Sequence, residues 1–311
     1  MRLKFLRCVI GYLFLLCGLL VLICVLSTVP ACKPAIAALT DTKDYMENIP
    51  MAEISPALEQ VTAQPEAKKL IIGDSVCARV FNHYAAYNPN YCVVGTNRGI
   101  VMSGQYILGS LFLETHPEAT DVYLVLTTNS MITEYETAYG YQYAVQPFLA
   151  DGNLSRLDDI TLKKMQQTYG KFVTNKEMVN FVDSSPILKK AYLNLLNEYN
   201  PIFVQPEIPD TVERYIVKLD RLCKEYGVTL HLIPAPIAEG DDRRKIEAAI
   251  EASYITTEVY ELFPDYYENL RYYPQDLFED GIHPKYDNAI WQEMIKDICE
   301  NTPSLEDFNL P

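Results

Sequence analysis

The sequence is short of positive charge and of histidine. Against 41 acidic residues stand 26 basic ones, a net charge of −15. A nucleic-acid binder neutralises phosphates with a basic footprint; none is present, so that class of partner is set aside. Four histidines occur in 311 residues, with no CxxC and no Cys/His cluster. The spacings that hold zinc are therefore missing, and no metal or organic cofactor is implied. No internal repeat is evident. A disorder-prone composition is absent too: 49% of residues are hydrophobic and 22% charged, the balance of a globular chain long enough for one large domain or two small ones.

Charge is also missing from one stretch. Arg2, Lys4 and Arg7 precede a run from Cys8 to Cys32 without a charged residue, strongest in CVIGYLFLLCGLLVLICVL at 8–26. About 20 helical residues cross a hydrocarbon core of about 30 Å. The cations before the run place residues 1–7 in the cytoplasm and residues 33–311 outside. An uncleaved anchor over 8–28 is the reading adopted, because the run exceeds a signal h-region of about 7–15 residues. The alternatives are a cleaved signal, giving a secreted domain, and a lipid anchor suggested by VPAC at 29–32, where Pro30 fits poorly. Cys8, Cys17 and Cys24 lie in the run; Cys32, Cys77, Cys92, Cys223 and Cys299 are an odd remainder. Buried free thiols are expected of them, with a Cys77–Cys92 disulfide as the alternative.

Residues 29–67 carry Pro30, Pro34, Pro50, Pro56 and Pro65 among small and acidic residues, and read as a stem with at most a short helix. The folded domain is expected over 68–303, with a tail at 304–311. KLII near 69–72, YCVVG at 91–95, DVYLVLT at 121–127 and VTLHLIPAP at 228–236 are near-continuous apolar runs, as in strands covered on both faces. Helical patterns lie between and after them at 76–87, 103–115, 211–226 (with Asp210 as N-cap) and about 286–300. That alternation predicts an α/β fold, a parallel sheet with helices on both sides. Residues 130–205 break the rhythm and read as a helical insertion, which either covers the functional site or packs on the flank.

The first strand runs into Gly73-Asp74-Ser75 and then a helix, the place where a hydrolase displays a nucleophile. A serine hydroxyl needs a base within hydrogen-bond reach and a group that orients the base. Of the four histidines, His83 is about two turns along the same helix, His116 sits at a helix end and His231 inside the fourth strand. His283 is different. It lies in FEDGIHPKYDNA at 278–289, a Gly/Pro loop before the last helix, with Asp280 three residues earlier. In a tight loop that spacing lets carboxylate and imidazole face one point.

GDS after the first strand, TTNS after the third and DGIHP before the last helix resemble the SGNH/GDSL hydrolases. The resemblance covers about 68–129 and 228–300 and implies the three-layer α/β/α, flavodoxin-like sheet of that family. It implies Ser75 as nucleophile, His283 as base, Asp280 as its partner and Asn129 as an oxyanion donor. Two departures stand: the family's Gly-x-Asn-Asp reads Thr127-Thr128-Asn129-Ser130, and the glycine of the oxyanion hole is either Gly99 or Gly104. The Gly-x-Ser-x-Gly elbow of α/β-hydrolases is excluded, since Cys77 stands two after Ser75. Family members with one N-terminal anchor imply an esterase or an O-acyltransferase acting on O-acetyl or other O-acyl groups of an extracytoplasmic polysaccharide or small ester, beside a multi-spanning acyl exporter. The alternative is a catalytically silent glycan-binding module. Dense tyrosines at 134–143 and 266–273 suit either a glycan groove or ordinary packing.

Overall fold

The computed structural model describes residues 2–82, 88–136, 138–199, 205–285 and 289–298. His83, Cys299 and the tail at 304–311 lie outside the described residues.

Helix α1 (Arg2–Thr28) opens the chain. Its Leu6–Thr28 stretch is long and apolar enough to cross a membrane, and its side chains are almost all exposed. Helix α2 (Lys33–Leu39) follows after one turn, and α3 (Ile49–Ala63) after a short 3-10 helix.

Here the structure departs from the expected stem. Ile54, Ala57 and Val61 of α3 are buried in the main core. Asn48 caps the helix by accepting from the Met51 amide at 3.3 Å, and Pro50 sits in the first turn, where a missing N–H costs nothing. Pro56 lies inside the helix, and α3 is held by tertiary contacts: Gln60 Nε2 donates to the Val93 carbonyl at 3.0 Å, and Thr115 Oγ1 to that of Val61 at 3.4 Å.

Four parallel strands make the central sheet: β1 (Lys69–Gly73), β2 (Tyr91–Gly95), β3 (Asp121–Leu126) and β4 (Thr229–Pro234), in the order β2-β1-β3-β4. Leu70, Ile72, Val122, Leu124 and Leu126 face one way, and Ile71, Tyr91, Val93 and Val125 the other. That is the period of two expected of a strand. Helix α4 (Ser75–Phe81) follows β1 and α5 (Val101–Thr115) follows β2. After β3 come the short α6 (Thr128–Met131) and α7 (Ala138–Gly140), then π and 3-10 turns, α8 (Asp159–Tyr169), α9 (Lys176–Ser184) and α10 (Pro186–Tyr199). Helix α11 (Asp210–Glu225) leads into β4. Its first residue is Asp210 and its N-cap is Pro209, with no side-chain cap, so the expected capping role of Asp210 is not observed. Beyond β4 lie β5 (Ile237–Ala238), α12 (Asp241–Tyr254), α13 (Glu258–Leu262), β6 (Tyr272–Tyr273), paired in parallel with β5, and α14 (Ala289–Ile298).

Helices α3, α5 and α11 share one core with the first face of the sheet; α4 and α14 share another with the second. Phe112 and Phe81, both fully buried, represent the two cores; each such side chain stabilises by about 1.5–3 kcal/mol. Cys77, Cys92 and Cys223 are buried free thiols, so the alternative of a Cys77–Cys92 disulfide is not realised. Burial pushes the Cys92 thiol up to about 12. The insertion carries no strand among its described residues. It packs on the loop after β2 and on α1, where Ser27 Oγ and Ser185 Oγ lie 2.5 Å apart.

Candidate active site

The site is assembled at the carboxyl ends of β1 and β3, the rim where open α/β sheets place their ligands. Gly73 closes β1 because nothing larger fits: a Cβ there would lie 1.9 Å from the Val125 carbonyl oxygen. Asp74 comes next, 1% exposed and N-cap of α4. Its Oδ1 accepts from the Val76 amide at 2.9 Å. Its Oδ2 accepts from the Thr127 amide and Oγ1, both at 2.7 Å, and from Ser130 Oγ at 2.6 Å. One carboxylate thus fastens the end of β1 to the turn after β3. Ser75 is the first residue of α4, so its N–H has no intrahelical partner.

The loop at 278–285 reaches this point through several ties. Gly281 takes φ +81°, and the chain closes back through Glu279 N donating to the His283 carbonyl and Lys285 N to that of Leu277, both at 2.9 Å. Arg79, one turn after Ser75 on α4, donates from Nε to the Pro284 carbonyl at 3.3 Å and pairs with Glu279. Neither Arg79 nor Glu279 stands out as a residue type in its stretch; their pairing spans 200 residues.

Within the loop Asp280 Oδ1 accepts from the amides of Ile282 (3.0 Å) and His283 (2.9 Å). Asp280 Oδ2 lies 2.7 Å from His283 Nδ1, and His283 Nε2 lies 2.8 Å from Ser75 Oγ. A carboxylate only accepts, so Nδ1 carries the ring proton and Nε2 accepts from the serine hydroxyl. Desolvation pushes the Asp280 carboxyl up, and the hydrogen bonds from the His283 amide and ring and the Ile282 amide outweigh it, bringing it down to about 2. The structure therefore brings together Ser75, Asp280 and His283, with the serine and the histidine 208 residues apart in the chain.

Asn129 lies in α6, between Thr128 and Ser130, and the Ser130 hydroxyl donates to Asp74 Oδ2. Its Oδ1 accepts from Arg243 Nη1 at 2.9 Å. The two glycines are placed differently from what the resemblance implies. The Gly99 amide donates to Asn97 Oδ1 at 3.0 Å, and a Cβ on Gly99 would meet the Tyr139 ring at 2.6 Å. Gly104 is the fourth residue of α5, where the amide enters helical bonding, and it packs against Ile100 and Phe148. Neither offers a free N–H; both are small because a neighbour presses on them.

The remaining described histidines are structural. His116 is buried, with Nε2 donating to the Gln64 carbonyl at 2.6 Å and Nδ1 2.9 Å from Thr115 Oγ1. His231 pairs with Asp121 at 2.9 Å and stacks on Tyr123. Tyr135, Tyr141, Tyr143 and Tyr266 are buried, and Tyr266 donates to the Leu126 carbonyl at 3.0 Å, so these tyrosines pack the interior rather than line a groove. A cavity of about 280 Å³ lies beside β4, lined by Ile233, Pro236, Asn269, Arg271 and Met294; Ser75 and His283 do not line it. Among the described residues no group of three or more His, Cys, Asp or Glu side chains could hold a metal ion.

The chain matches no protein-family model and no curated protein. Among solved structures it is similar to a GDSL-like lipase from Bacteroides thetaiotaomicron, at 12% identity and a TM-score of 0.35, over 78% of this chain and 93% of that one. A likeness that weak carries no argument, and the chemistry rests on the site's own geometry.

Proposed function

We propose that the chain is a serine-dependent esterase or O-acyltransferase of the SGNH type. One observation carries the reading: the unbroken line of hydrogen bonds from Asp280 through His283 to Ser75, at 2.7 and 2.8 Å. In the proposed reaction Ser75 Oγ attacks the acyl carbonyl carbon as its proton passes to His283 Nε2. Asp280 holds the ring and stabilises the imidazolium. The Ser75 N–H and the Asn129 Nδ2 hydrogens are the donors for the oxyanion; one such donor is worth about 3 kcal/mol. The tetrahedral adduct collapses, the alcohol leaves with the proton from His283, and the acyl group stays on Ser75 until water or a sugar hydroxyl takes it.

Water as acceptor gives an esterase, and a glycan hydroxyl gives an O-acyltransferase. With α1 read as a membrane span, N-terminus inside, the domain faces an extracytoplasmic, acylated carbohydrate, supplied with acyl groups by a multi-spanning partner.

The test is labelling of the detergent-solubilised full chain with a fluorophosphonate probe, together with hydrolysis of an aryl acetate with and without glycan acceptors. A probe adduct mapped to Ser75, with both signals lost in Ser75→Ala, is the expected result. A wild-type chain that neither labels nor turns over the ester would sink the enzyme reading and leave a silent glycan-binding module.

A further inference from the structure

Helix α12 carries an ion pair outside every motif discussed above. Arg243 and Glu247 are one turn apart, with Arg243 Nη2 and Glu247 Oε1 at 2.5 Å. Glu247 is 2% exposed. A charged i,i+4 pair on a helix normally sits in solvent, where it stabilises by about 0.3–0.5 kcal/mol. A buried carboxylate that faces the turn after β3 asks for another explanation.

The pair holds that turn at two adjacent residues. Arg243 Nη1 donates to Asn129 Oδ1 at 2.9 Å, and Nη2 donates to Thr128 Oγ1 at 2.8 Å. Thr128 Oγ1 in turn donates to Glu247 Oε1 at 2.7 Å. Thr128 is fully buried. The carboxylate thus fixes the guanidinium, and the planar guanidinium spans Thr128 and Asn129 as a fork.

The consequence concerns the Asn129 amide. Its two ends have the same shape and opposite hydrogen-bonding character. A guanidinium only donates, so the end facing Arg243 must be the oxygen, and the NH2 group must point away. Without that partner the amide can turn over and present an acceptor where a donor is needed. In an oxyanion site an acceptor repels the developing charge instead of stabilising it.

We infer that Arg243, braced by Glu247, is a positioning residue that fixes the Asn129 amide with its NH2 group as the oxyanion donor. The inference rests on the reading of Ser75 as nucleophile, and it assigns Arg243 no contact with substrate.

The test uses the full chain in detergent and compares Asn129→Ala, Arg243→Met and the double variant by the rate of fluorophosphonate reaction at Ser75 and by kcat and KM on an aryl acetate. Losing one oxyanion donor costs about 10²–10³ in kcat; Arg243→Met is expected to lose about 10- to 100-fold in kcat with KM little changed. Because both changes act on one donor, the double variant should be no slower than Asn129→Ala. Added guanidinium should restore part of the rate in Arg243→Ala and none in Asn129→Ala. Glu247→Gln, which keeps shape and volume, should give a smaller loss of the same kind and serves if the Arg243 variants do not fold. Wild-type rates in Arg243→Met, a multiplicative loss in the double variant, or a rise in KM with kcat unchanged would each overturn the inference while leaving Ser75 in place. A wild-type chain inert to the probe would overturn both readings.

Discussion

Replacing Asp74 by asparagine probes how the rim is held. The carboxylate accepts four hydrogen bonds, two of them from backbone amides: Val76 N–H on Oδ1 and Thr127 N–H on Oδ2. In Asp74→Asn one of those oxygens becomes NH2. Whichever way the amide turns, a backbone N–H then faces another donor in a site 1% exposed. A buried donor left unsatisfied costs about 1–3 kcal/mol, and the surviving bonds fall from charge-assisted strength, about 1.5–3 kcal/mol each, to about 0.5–1.5. Relief of the buried charge offsets part of this, so a net loss of about 3 kcal/mol is expected. At about 2.1 cal/mol/K per residue, 311 residues give an unfolding entropy of about 0.6 kcal/mol/K, so the loss lowers Tm by about 5 °C. Thermal unfolding of the full chain in detergent, followed by circular dichroism, measures it. A Tm within 1 °C of the parent would show that Asp74 does not fasten β1 to β3, and the placement of Ser75 would need another cause.

Two further changes address the frame. A Cβ at Gly95 would lie 2.1 Å from the Ala78 amide nitrogen in α4, with no flexible side chain to yield; Gly95→Ala should cost about 3 kcal/mol and slow probe reaction at Ser75, whereas Gly18→Ala, with open space around it, should not lower Tm. The Asp158 carboxyl, 22% exposed, is pushed up by desolvation and more strongly down by Lys218 Nζ at 2.5 Å and the Thr161 groups it caps, to about 2 against an ordinary 3.8. A depressed folded value means stability present above about pH 4 and lost as pH falls toward 2, about 2 kcal/mol in all; Asp158→Asn should flatten that part of the stability–pH curve, and an unchanged acid limb would refute the assignment.

The four strands were legible because each is a short, near-continuous apolar run, a pattern that survives without tertiary context. Ser75 and the Asp280–His283 pair were each legible because each is a local pattern, a serine at a strand-to-helix turn and a carboxylate three residues before an imidazole; their meeting across 208 residues has no local signal. Helix α3 was obscured by Pro50 and Pro56, which read as breakers. Pro50 is tolerated in a first turn and Pro56 is carried by packing, while the spacing of Ile54, Ala57 and Val61 was the available signal. Gly99 and Gly104 read as candidate oxyanion donors because a glycine forced by a neighbour's bulk looks in sequence like one whose amide is needed. Arg243 and Glu247 had no signal at all, since an Arg and a Glu one turn apart describe a solvated helix face equally well.

The route from α1 into the domain has a mechanical consequence. Four residues, 29–32, separate α1 from α2, Ser27 meets Ser185 of the insertion, and α3 belongs to the core. With α1 in a bilayer, such a chain is bolted to the lipid surface rather than leashed to it. On the proposed reading, Ser75 then sits at one fixed height, and only acyl acceptors delivered to that height reach it.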